Sequence, residues 1–407
     1  MAAPGADVRA VTEDELPTFV RAGAAGFGES AEELAKHQPR WNALELDRTR
    51  AAFDGDDIVG TSRNYSLELT LPGGAVVPAA GVSAVAVLPT HRRRGILRAM
   101  MAALLDDAAA RGEPVAMLTA SEGAIYQRFG FGVSTRSMSF EIDVRTTDWA
   151  QPPPAGRVRL VTPEEARKHA PELFDRVRRA YPGAVSRPEA WWTDVQYYPD
   201  HGNRFDVLYE SPAGVVDGFV AYGIKDVWSW GSKHVLRVPD LVAATPDALH
   251  ALWRYLCEID LVKTVKCDRL PLDSPLAWLF TSPRVPRVDG VFDYVWTRVL
   301  DVPVALAART YAVADTLTIE VHDPSRPDGP AVGTFTIDGG PDGASVKAAG
   351  TPDLVVDVST LSTAWLGGIP WSTLAAAGWV EERGAGAVAR ADAMFASTPL
   401  PFPFTWF

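Results

Sequence analysis

Three consecutive arginines and a glycine, Arg92, Arg93, Arg94 and Gly95, form the cluster best suited to chemistry in this sequence. They stand between an apolar run that ends at Pro89 and a segment with apolar residues at helical spacing. A helix N-terminus leaves backbone N–H groups unpaired and carries partial positive charge, so it favours phosphate. The arginines would add charge, and the glycine would let the backbone approach a ligand closely. The pattern predicts an anion site; the alternative is a solvated helix start.

The elements around this cluster form a predicted βαβ unit over residues 81–118. Pro89 removes a ladder donor, which favours splaying of the first strand from its neighbour and exposes backbone groups to a peptide-like ligand. After the second strand, an aromatic–glycine segment would bring Tyr126 to the crevice at the carboxyl ends of the strands. That crevice is the usual ligand position in such sheets. The alternative for Tyr126 is a core aromatic.

Composition narrows the class of protein. A chain of 407 residues is expected to form two or three domains. The net charge of −12 argues against a nucleic-acid binder and is compatible with a cationic substrate. Neither a Gly-Lys-Ser/Thr phosphate loop nor a G-x-G-x-x-G dinucleotide fingerprint stands at the arginine turn.

The cysteines and histidines carry no metal or disulfide pattern. Cys257 and Cys267 are the two cysteines, and the seven histidines lack ligand spacing, so we expect a reducing compartment and no metal. His91 is the histidine worth testing, because it adjoins the arginine turn. The sequence shows no signal peptide and no apolar run of the ~20 residues that a membrane span needs. We therefore expect a cytoplasmic protein that contacts no membrane.

Three domains are predicted, with bounds 1–150, 151–300 and 301–407. A strand over residues 134–144 is expected to close the first domain, and a stiff proline linker at 151–154 marks the boundary. After residue 301 the sequence is typical of a small α+β domain, which ends in an apolar tail.

The second domain repeats the element order of the first. Thr162 and Pro163 mark a helix start, and residues 232–300 read as strand, turn, amphipathic helix and strands. Thr245, Pro246 and Asp247 replace the arginine–glycine turn and cannot offer the same positive concavity. We interpret this part as a degenerate second copy of the same fold.

Several stretches of the sequence resemble one acetyltransferase family. RRRGIL, residues 92–97, resembles the acetyl-CoA pyrophosphate loop Q/R-x-x-G-x-G/A of the GNAT N-acetyltransferases, with a departure at Leu97. AIYQRFGF, residues 124–131, resembles the Y-x-x-F/L-G-F segment that follows in this family. AVAVLPTHRRRG at 84–95 and the C-terminal Phe407 narrow the resemblance to the Eis (enhanced intracellular survival) branch.

The resemblance implies a fold and an activity. The fold would be α/β and α+β: two tandem GNAT-like domains, each a mixed twisted sheet with helices on both faces, and a C-terminal domain similar to a sterol carrier protein. The activity would be acetyl transfer from acetyl-CoA to amines, including several amines of aminoglycosides, which confers antibiotic resistance. The resemblance also implies a homohexamer.

The family's functional residues carry over by position. The resemblance implies that backbone groups of Val85, Ala86 and Val87 hold the pantetheine and thioester. It implies that the pyrophosphate lies on residues of the arginine turn and first helical turn, namely Arg93, Arg94, Gly95, Ile96, Leu97 and Arg98. Ser121 and Glu122 would lie along the cofactor.

Tyr126 would be the general acid for the departing thiolate, and the α-carboxylate of Phe407 the general base for the attacking ammonium. A base is useful because an amine attacks only when deprotonated and its pKa is about 10; general bases contribute ~10²–10⁴-fold. A terminal carboxylate has an ordinary pKa near 3.5 and is a poor base in water. Burial among Phe402, Phe404 and Trp406 could raise that pKa. The alternative is an apolar tail that merely docks.

The sequence determines the substrate side less well. Acidic residues would favour polyamines, and Glu29, Glu32, Glu33 and Glu122 are candidates. Trp406 puts a large aromatic beside the terminus, where it could reshape the pocket. Two alternatives stay open: an acyl-CoA or lipid-binding protein without turnover, and an enzyme that acetylates protein lysines.

Overall fold

The computed structural model describes residues 7–29, 44–192, 203–229, 231–348 and 350–407. The first part of the chain supplies strands β1 (Asp7–Arg9), β2 (Ala51–Asp54), β3 (Asp57–Thr70), β4 (Val76–Val87), β5 (Val115–Thr119), β6 (Gly132–Val133) and β7 (Arg136–Asp143). Its helices are α1 (Leu16–Phe27), α2 (Ile96–Ala110) and α3 (Gly123–Tyr126). The amphipathic helix that the sequence predicts over about residues 30–42 lies outside the described residues.

The middle part has a similar order of elements. Its strands are β8 (Arg157–Val161), β9 (Asn203–Glu210), β10 (Val216–Lys225), β11 (His234–Ala243), β12 (Val262–Leu270), β13 (Pro286–Asp293) and β14 (Val295–Val299), and its helices are α4 (Pro163–Arg178) and α5 (Pro246–Cys257). Both helices begin as the sequence predicts, because the Thr162 and Thr245 hydroxyls accept hydrogen bonds from the backbone N–H groups of Glu165 and Ala248.

The last part is the smaller α+β domain. It contains β15 (Asp315–His322), β16 (Gly333–Gly340), β17 (Gly343–Ala348), β18 (Leu354–Asp357) and β19 (Val380–Glu382), with α6 (Val302–Ala307), α7 (Val358–Ala364), α8 (Trp371–Ala376) and α9 (Ala387–Phe395). The strand order β17-β16-β15-β18-β19 forms one sheet. The structure thus confirms two similar α/β domains followed by an α+β domain.

The first two sheets exchange a strand. Among the described residues, the first has the order β1-β2-β3-β4-β5-β14-β6 and the second β13-β7-β12-β11-β10-β9-β8. The expectation that the strand at 134–144 closes the first domain is therefore wrong: β7 pairs with β12 and β13, and β14 enters the first sheet between β5 and β6.

Burial explains the position of β14. All five of its residues are buried, so it needs partners on both edges and cover on both faces. The third domain supplies one cover, since the Ser362 hydroxyl accepts from the Val299 backbone N–H at 3.0 Å and the Ser362 carbonyl accepts from the Thr297 hydroxyl at 3.0 Å. The third domain is thereby attached to the first sheet.

The opening between β4 and β5 is confirmed, but it begins earlier than Pro89. The parallel pairing of β4 with β5 ends at Gly81 and Met117, although β4 continues to Val87. Within that extension Ala84 has φ 53°, and the register with β3 shifts. A bulge of this kind bends the strand away from its neighbour. The bulge rather than the proline opens the crevice.

Residues 398–407 form a C-terminal tail that runs back along the second domain. The Phe402 backbone N–H donates to the Pro182 carbonyl at 2.8 Å, and the Val185 backbone N–H donates to the Pro403 carbonyl at 3.1 Å. The tail then reaches the first sheet at the open end of β4. Within the described part of the chain, no helix is long and apolar enough to cross a bilayer.

Candidate active site

A cavity of about 1370 Å³ lies at the open end of β4. The end of α1, the first turns of α2, the segment after β5 and the end of the tail surround it. Twelve of the predicted site residues line it: Val85, Ala86, Val87, Arg93, Gly95, Ile96, Leu97, Arg98, Ser121, Glu122, Tyr126 and Phe407.

Arg94 is the predicted site residue that does not line the cavity. Its Nη2 donates to the Thr90 carbonyl at 3.1 Å, and its Nη1 lies 4.0 Å from Asp54 Oδ2. Its side chain is 56% exposed, so the last of the three arginines faces solvent in this conformation. The first two, Arg92 and Arg93, line the cavity.

The turn before α2 has the geometry of an anion site. Arg93 and Gly95 both have positive φ, 64° and 81°, and Gly95 is the N-cap residue of α2. No side chain among the described residues caps this helix, so its first backbone N–H groups are left for a ligand or water. Arg92 links the turn to β4 and α1, because it donates to the Val87 and Gly26 carbonyls at 3.4 Å each.

Tyr126 stands at the end of α3, edge-on to Phe131 with ring centroids 6.1 Å apart. Burial raises the pKa of its phenol above the ordinary value of 10, and the charge of Glu122 raises it further. Tyr126 therefore keeps its proton throughout the neutral range, which suits a proton donor.

Phe407 lies at the end of β5. The Thr119 hydroxyl donates to the backbone oxygen of Phe407 at 3.3 Å. The ring of Phe407 lies edge-on to Tyr65, with centroids 6.5 Å apart and an interplanar angle of 88°. A Cβ added at Gly81 would lie 3.2 Å from this ring, so the ring packs against β4 where its pairing with β5 ends.

The acidic candidates divide between the cavity and elsewhere. Glu29, Glu122 and Asp106 line the cavity, whereas Glu32 and Glu33 lie outside the described residues. Trp406 lines the cavity as well and is 38% exposed. An amine would thus meet both carboxylates and aromatic faces.

His91 also lines the cavity, beside the arginine turn. Its Nε2 lies 3.2 Å from Asp54 Oδ2, and its Nδ1 lies 2.8 Å from the Thr90 hydroxyl. Both ring nitrogens of His91 have protein partners, so in this geometry the side chain supports the turn. Within the described ranges, no group of three or more His, Cys, Asp or Glu residues could hold a metal ion.

Several residues that line the cavity belong to none of the sequence motifs. Arg63 and Tyr65 on β3 are the most notable, because the Arg63 guanidinium lies 4.1 Å from the Tyr65 ring centroid and donates to its hydroxyl. Thr119, Arg128 and Gly26 are also among them. Alternation along β3 indicates which residues share a face, but it gives no sign that this face meets the end of the chain.

Family models match the chain in three places. An acetyltransferase (GNAT) domain matches residues 7–134, a second acetyltransferase (GNAT) domain matches residues 183–299, and a sterol carrier protein domain matches residues 302–403.

Relatives match over nearly the whole length. An uncharacterized N-acetyltransferase from Streptomyces avermitilis is 40% identical over 97% of each chain. N-acetyltransferase Eis from Mycobacterium tuberculosis is 36% identical, covering 95% of this chain and 96% of that protein. The crystal structure of Eis1 from Mycobacterium abscessus superposes with a TM-score of 0.86 at 35% identity, covering 99% of this chain and 100% of Eis1. A GCN5-related N-acetyltransferase from Anabaena variabilis shares the fold, with a TM-score of 0.87 at 18% identity and 99% and 100% coverage.

Proposed function

Because this chain belongs to the Eis family of GNAT N-acetyltransferases, we propose that it transfers the acetyl group of acetyl-CoA to a primary amine of a cationic small molecule. One observation carries the proposal: a single cavity is lined by the turn before α2, the open end of β4, Tyr126 and the terminal Phe407. These groups would bind a phosphate and a thioester and would supply an acid and a base.

The cofactor half is supported by backbone geometry. Val85, Ala86 and Val87 would pair with the pantetheine amides, because this part of β4 has no ladder partner on β5. The pyrophosphate would bind the N–H groups at the start of α2, where Arg93 and Arg98 supply charge. Ser121 and Glu122 would lie beside the pantetheine arm.

The chemistry would need one base and one acid. The carboxylate of Phe407 accepts a proton from the ammonium, and the freed nitrogen lone pair attacks the thioester carbon, so that a C–N bond forms. Collapse of the tetrahedral intermediate breaks the C–S bond, and Tyr126 gives its phenolic proton to the thiolate. The nitrogen loses its second proton as the amide forms; this proton restores the Tyr126 phenol, and the proton on Phe407 leaves to solvent.

The acceptor is proposed to be a polyamine or an aminoglycoside, the latter at one or several positions and with resistance as the consequence. Glu29, Glu122 and Asp106 support a cationic acceptor. Trp406 and Tyr65 narrow the choice toward amines with an apolar face that can stack. A homohexamer in the cytoplasm is proposed from the family resemblance, and native mass spectrometry tests the assembly.

Release of free thiol from acetyl-CoA tests the activity. We expect turnover with spermidine or kanamycin, and product masses higher by whole acetyl groups. A lysine-bearing peptide forms the third arm, so that protein-lysine acetylation is measured in the same assay. Absence of turnover with every amine, while acetyl-CoA binds, would favour the binding-protein alternative.

The third domain itself gives that alternative little support. Its interior is filled by large side chains with at most 1% exposure, namely Tyr311, Trp365, Trp371 and Phe395. Trp371 and Tyr311 both pack edge-on to Phe395 with centroids 5.1 Å apart. A lipid chain would have to displace these aromatic contacts.

A further inference from the structure

Arg187 is a buried cation in the second domain that forms a bidentate ion pair. Its Nη1 and Nη2 donate to Asp240 Oδ2 and Oδ1, both at 2.9 Å. The two side chains are 1% and 7% exposed. A bidentate pair of this kind fixes the plane and direction of the guanidinium.

Aromatic side chains surround the same guanidinium. Its central carbon lies 4.0 Å from the ring centroids of Phe174 and Trp191 and 5.0 Å from that of Trp192. These rings exclude water and attract the cation, so the guanidinium has little freedom to move.

Two further N–H groups of Arg187 donate to the C-terminal tail. Its Nε donates to the Thr405 hydroxyl at 3.2 Å, and its Nη2 donates to the Phe404 carbonyl at 3.1 Å. The Thr405 hydroxyl in turn donates to the Val185 carbonyl at 3.0 Å, and Thr405 is 1% exposed. The chain beyond Thr405 consists of Trp406 and Phe407.

We propose that Arg187 is a positioning residue for acetyl transfer: held by Asp240, it fixes Phe404 and Thr405 and thereby sets the α-carboxylate of Phe407 in the cavity. This inference rests on the proposed function of that carboxylate. Arg187 touches no reacting atom. Its effect passes through two residues of backbone to the terminal group.

The position of Asp240 in the second sheet fits this role. Asp240 pairs with Ala221 immediately before a register shift between β10 and β11, as Ala86 pairs with Thr61 immediately before the shift between β3 and β4. The two residues therefore occupy corresponding places in the two domains. At this place the first domain has the strand that is proposed to bind the cofactor. The second domain has the Asp240 carboxylate there, which holds Arg187 and, through it, the tail.

The test compares a double variant with a matched control. Arg187→Met alone would remove the cation that pairs with the buried Asp240 carboxylate, so the test uses Arg187→Met/Asp240→Asn, which removes both charges together. The control is Arg176→Met/Asp217→Asn, which breaks a 2.8 Å pair between α4 and β10; Arg176 also donates to the Val216 carbonyl at 2.9 Å. We expect the double variant to keep its acetyl-CoA affinity within about twofold, whereas kcat falls about tenfold to hundredfold at pH 7. The control keeps wild-type kcat.

The pH profile separates positioning from general damage. An amine of pKa about 10 deprotonates by itself as the pH rises, so a misplaced base matters less. We expect the deficit of the double variant to shrink several-fold between pH 7 and pH 9.5. A deficit of the same size at every pH, or a wild-type kcat, would overturn the inference.

A variant with a lengthened C-terminus distinguishes this failure from failure of the proposed mechanism. If lengthening the chain past Phe407 lowers kcat but the double variant does not, only the role of Arg187 is wrong. If lengthening has no effect, both the base and its positioning are wrong. Thr405→Val provides a second, milder probe if the double variant melts early: it removes the shared hydroxyl and should give a smaller deficit with the same pH trend, and wild-type behaviour would count against the inference.

Discussion

Thr119 and Phe407 are 288 positions apart in the sequence, yet the Thr119 hydroxyl donates to the backbone oxygen of Phe407 at 3.3 Å. This hydrogen bond joins the last residue of β5 in the first domain to the C-terminal tail. The tail reaches it only after passing the second domain at Pro182 and Val185. The first domain and the tail therefore line the cavity together, and contacts with the second domain fix the path of the tail.

Lengthening the chain tests the terminal carboxylate directly. Three added residues, Gly-Ser-Gly, convert the carboxylate of Phe407 into a peptide carbonyl with no basic oxygen. We expect kcat to fall ~10²–10⁴-fold, the range for a general base, with acetyl-CoA affinity nearly unchanged. Single-turnover kinetics with acetyl-CoA and an amine measure the effect.

The same three residues added at the N-terminus serve as the control. They leave the C-terminal tail as it is, so kcat should equal that of wild type. Equal kcat values for the two lengthened chains would contradict the assigned base.

The turn before α2 offers a matched pair of glycine substitutions. Gly95 and Gly112 flank the same helix with φ values of 81° and 74°, so alanine at either place costs ~1–2 kcal/mol in backbone strain. Only Gly95 lines the cavity. We expect Gly95→Ala to raise the KM for acetyl-CoA about tenfold and Gly112→Ala to leave it unchanged, while both lower the melting temperature to a similar degree.

Equal KM values would show that the turn binds no pyrophosphate.

A second comparison refines this point. Arg93 lines the cavity and Arg94 does not, so Arg93→Ala should weaken acetyl-CoA binding several-fold and Arg94→Ala less than twofold. Isothermal titration with CoA measures both.

Local patterns allowed much of the fold to be predicted. The apolar spacing that predicts α2 reappears as its buried face, with Met100, Met101, Leu104 and Leu105 at most 2% exposed. The helix start at Thr162 is confirmed by its hydrogen bond to Glu165. Both signals depend on neighbours within one or two helical turns, so a single sequence contains them.

The strand exchange and the path of the tail could not be predicted in the same way. Alternation identifies β7 and β14 as strands, but it does not select their partners, which lie more than 100 residues away at Val265 and Met117. The sequence does not predict the Arg187–Asp240 pair either, because neither residue lies in a local sequence pattern. Only the family resemblance points to Phe407 as a site residue.

The leaving group tests Tyr126 as proton donor. Tyr126→Phe removes the hydroxyl but keeps the ring against Phe131, so the fold and cofactor binding should be retained. With acetyl-CoA we expect kcat to fall ~10²-fold or more. A departing thiolate needs less protonation when its thiol is more acidic. With an acetyl donor of that kind, the kcat deficit of Tyr126→Phe should be several-fold smaller. The control is Tyr255→Phe, which removes a hydroxyl of the second domain that is hydrogen-bonded to the Tyr222 hydroxyl.

The pH dependence of the reaction tests the environment of the same phenol. Burial first, and the charge of Glu122 second, raise the Tyr126 pKa above 10, so the protonated acid is present below pH 10 and is lost only above it. We expect the alkaline limb of kcat for the wild-type enzyme above pH 10. Glu122→Gln removes the charge but not the burial, so the limb should move toward lower pH without reaching the ordinary value. Asp106→Asn removes a different cavity carboxylate, whose charge is not a cause of the raised Tyr126 pKa, and should leave the limb in place. A limb that does not respond to Glu122→Gln would show that another group donates the proton to the thiolate.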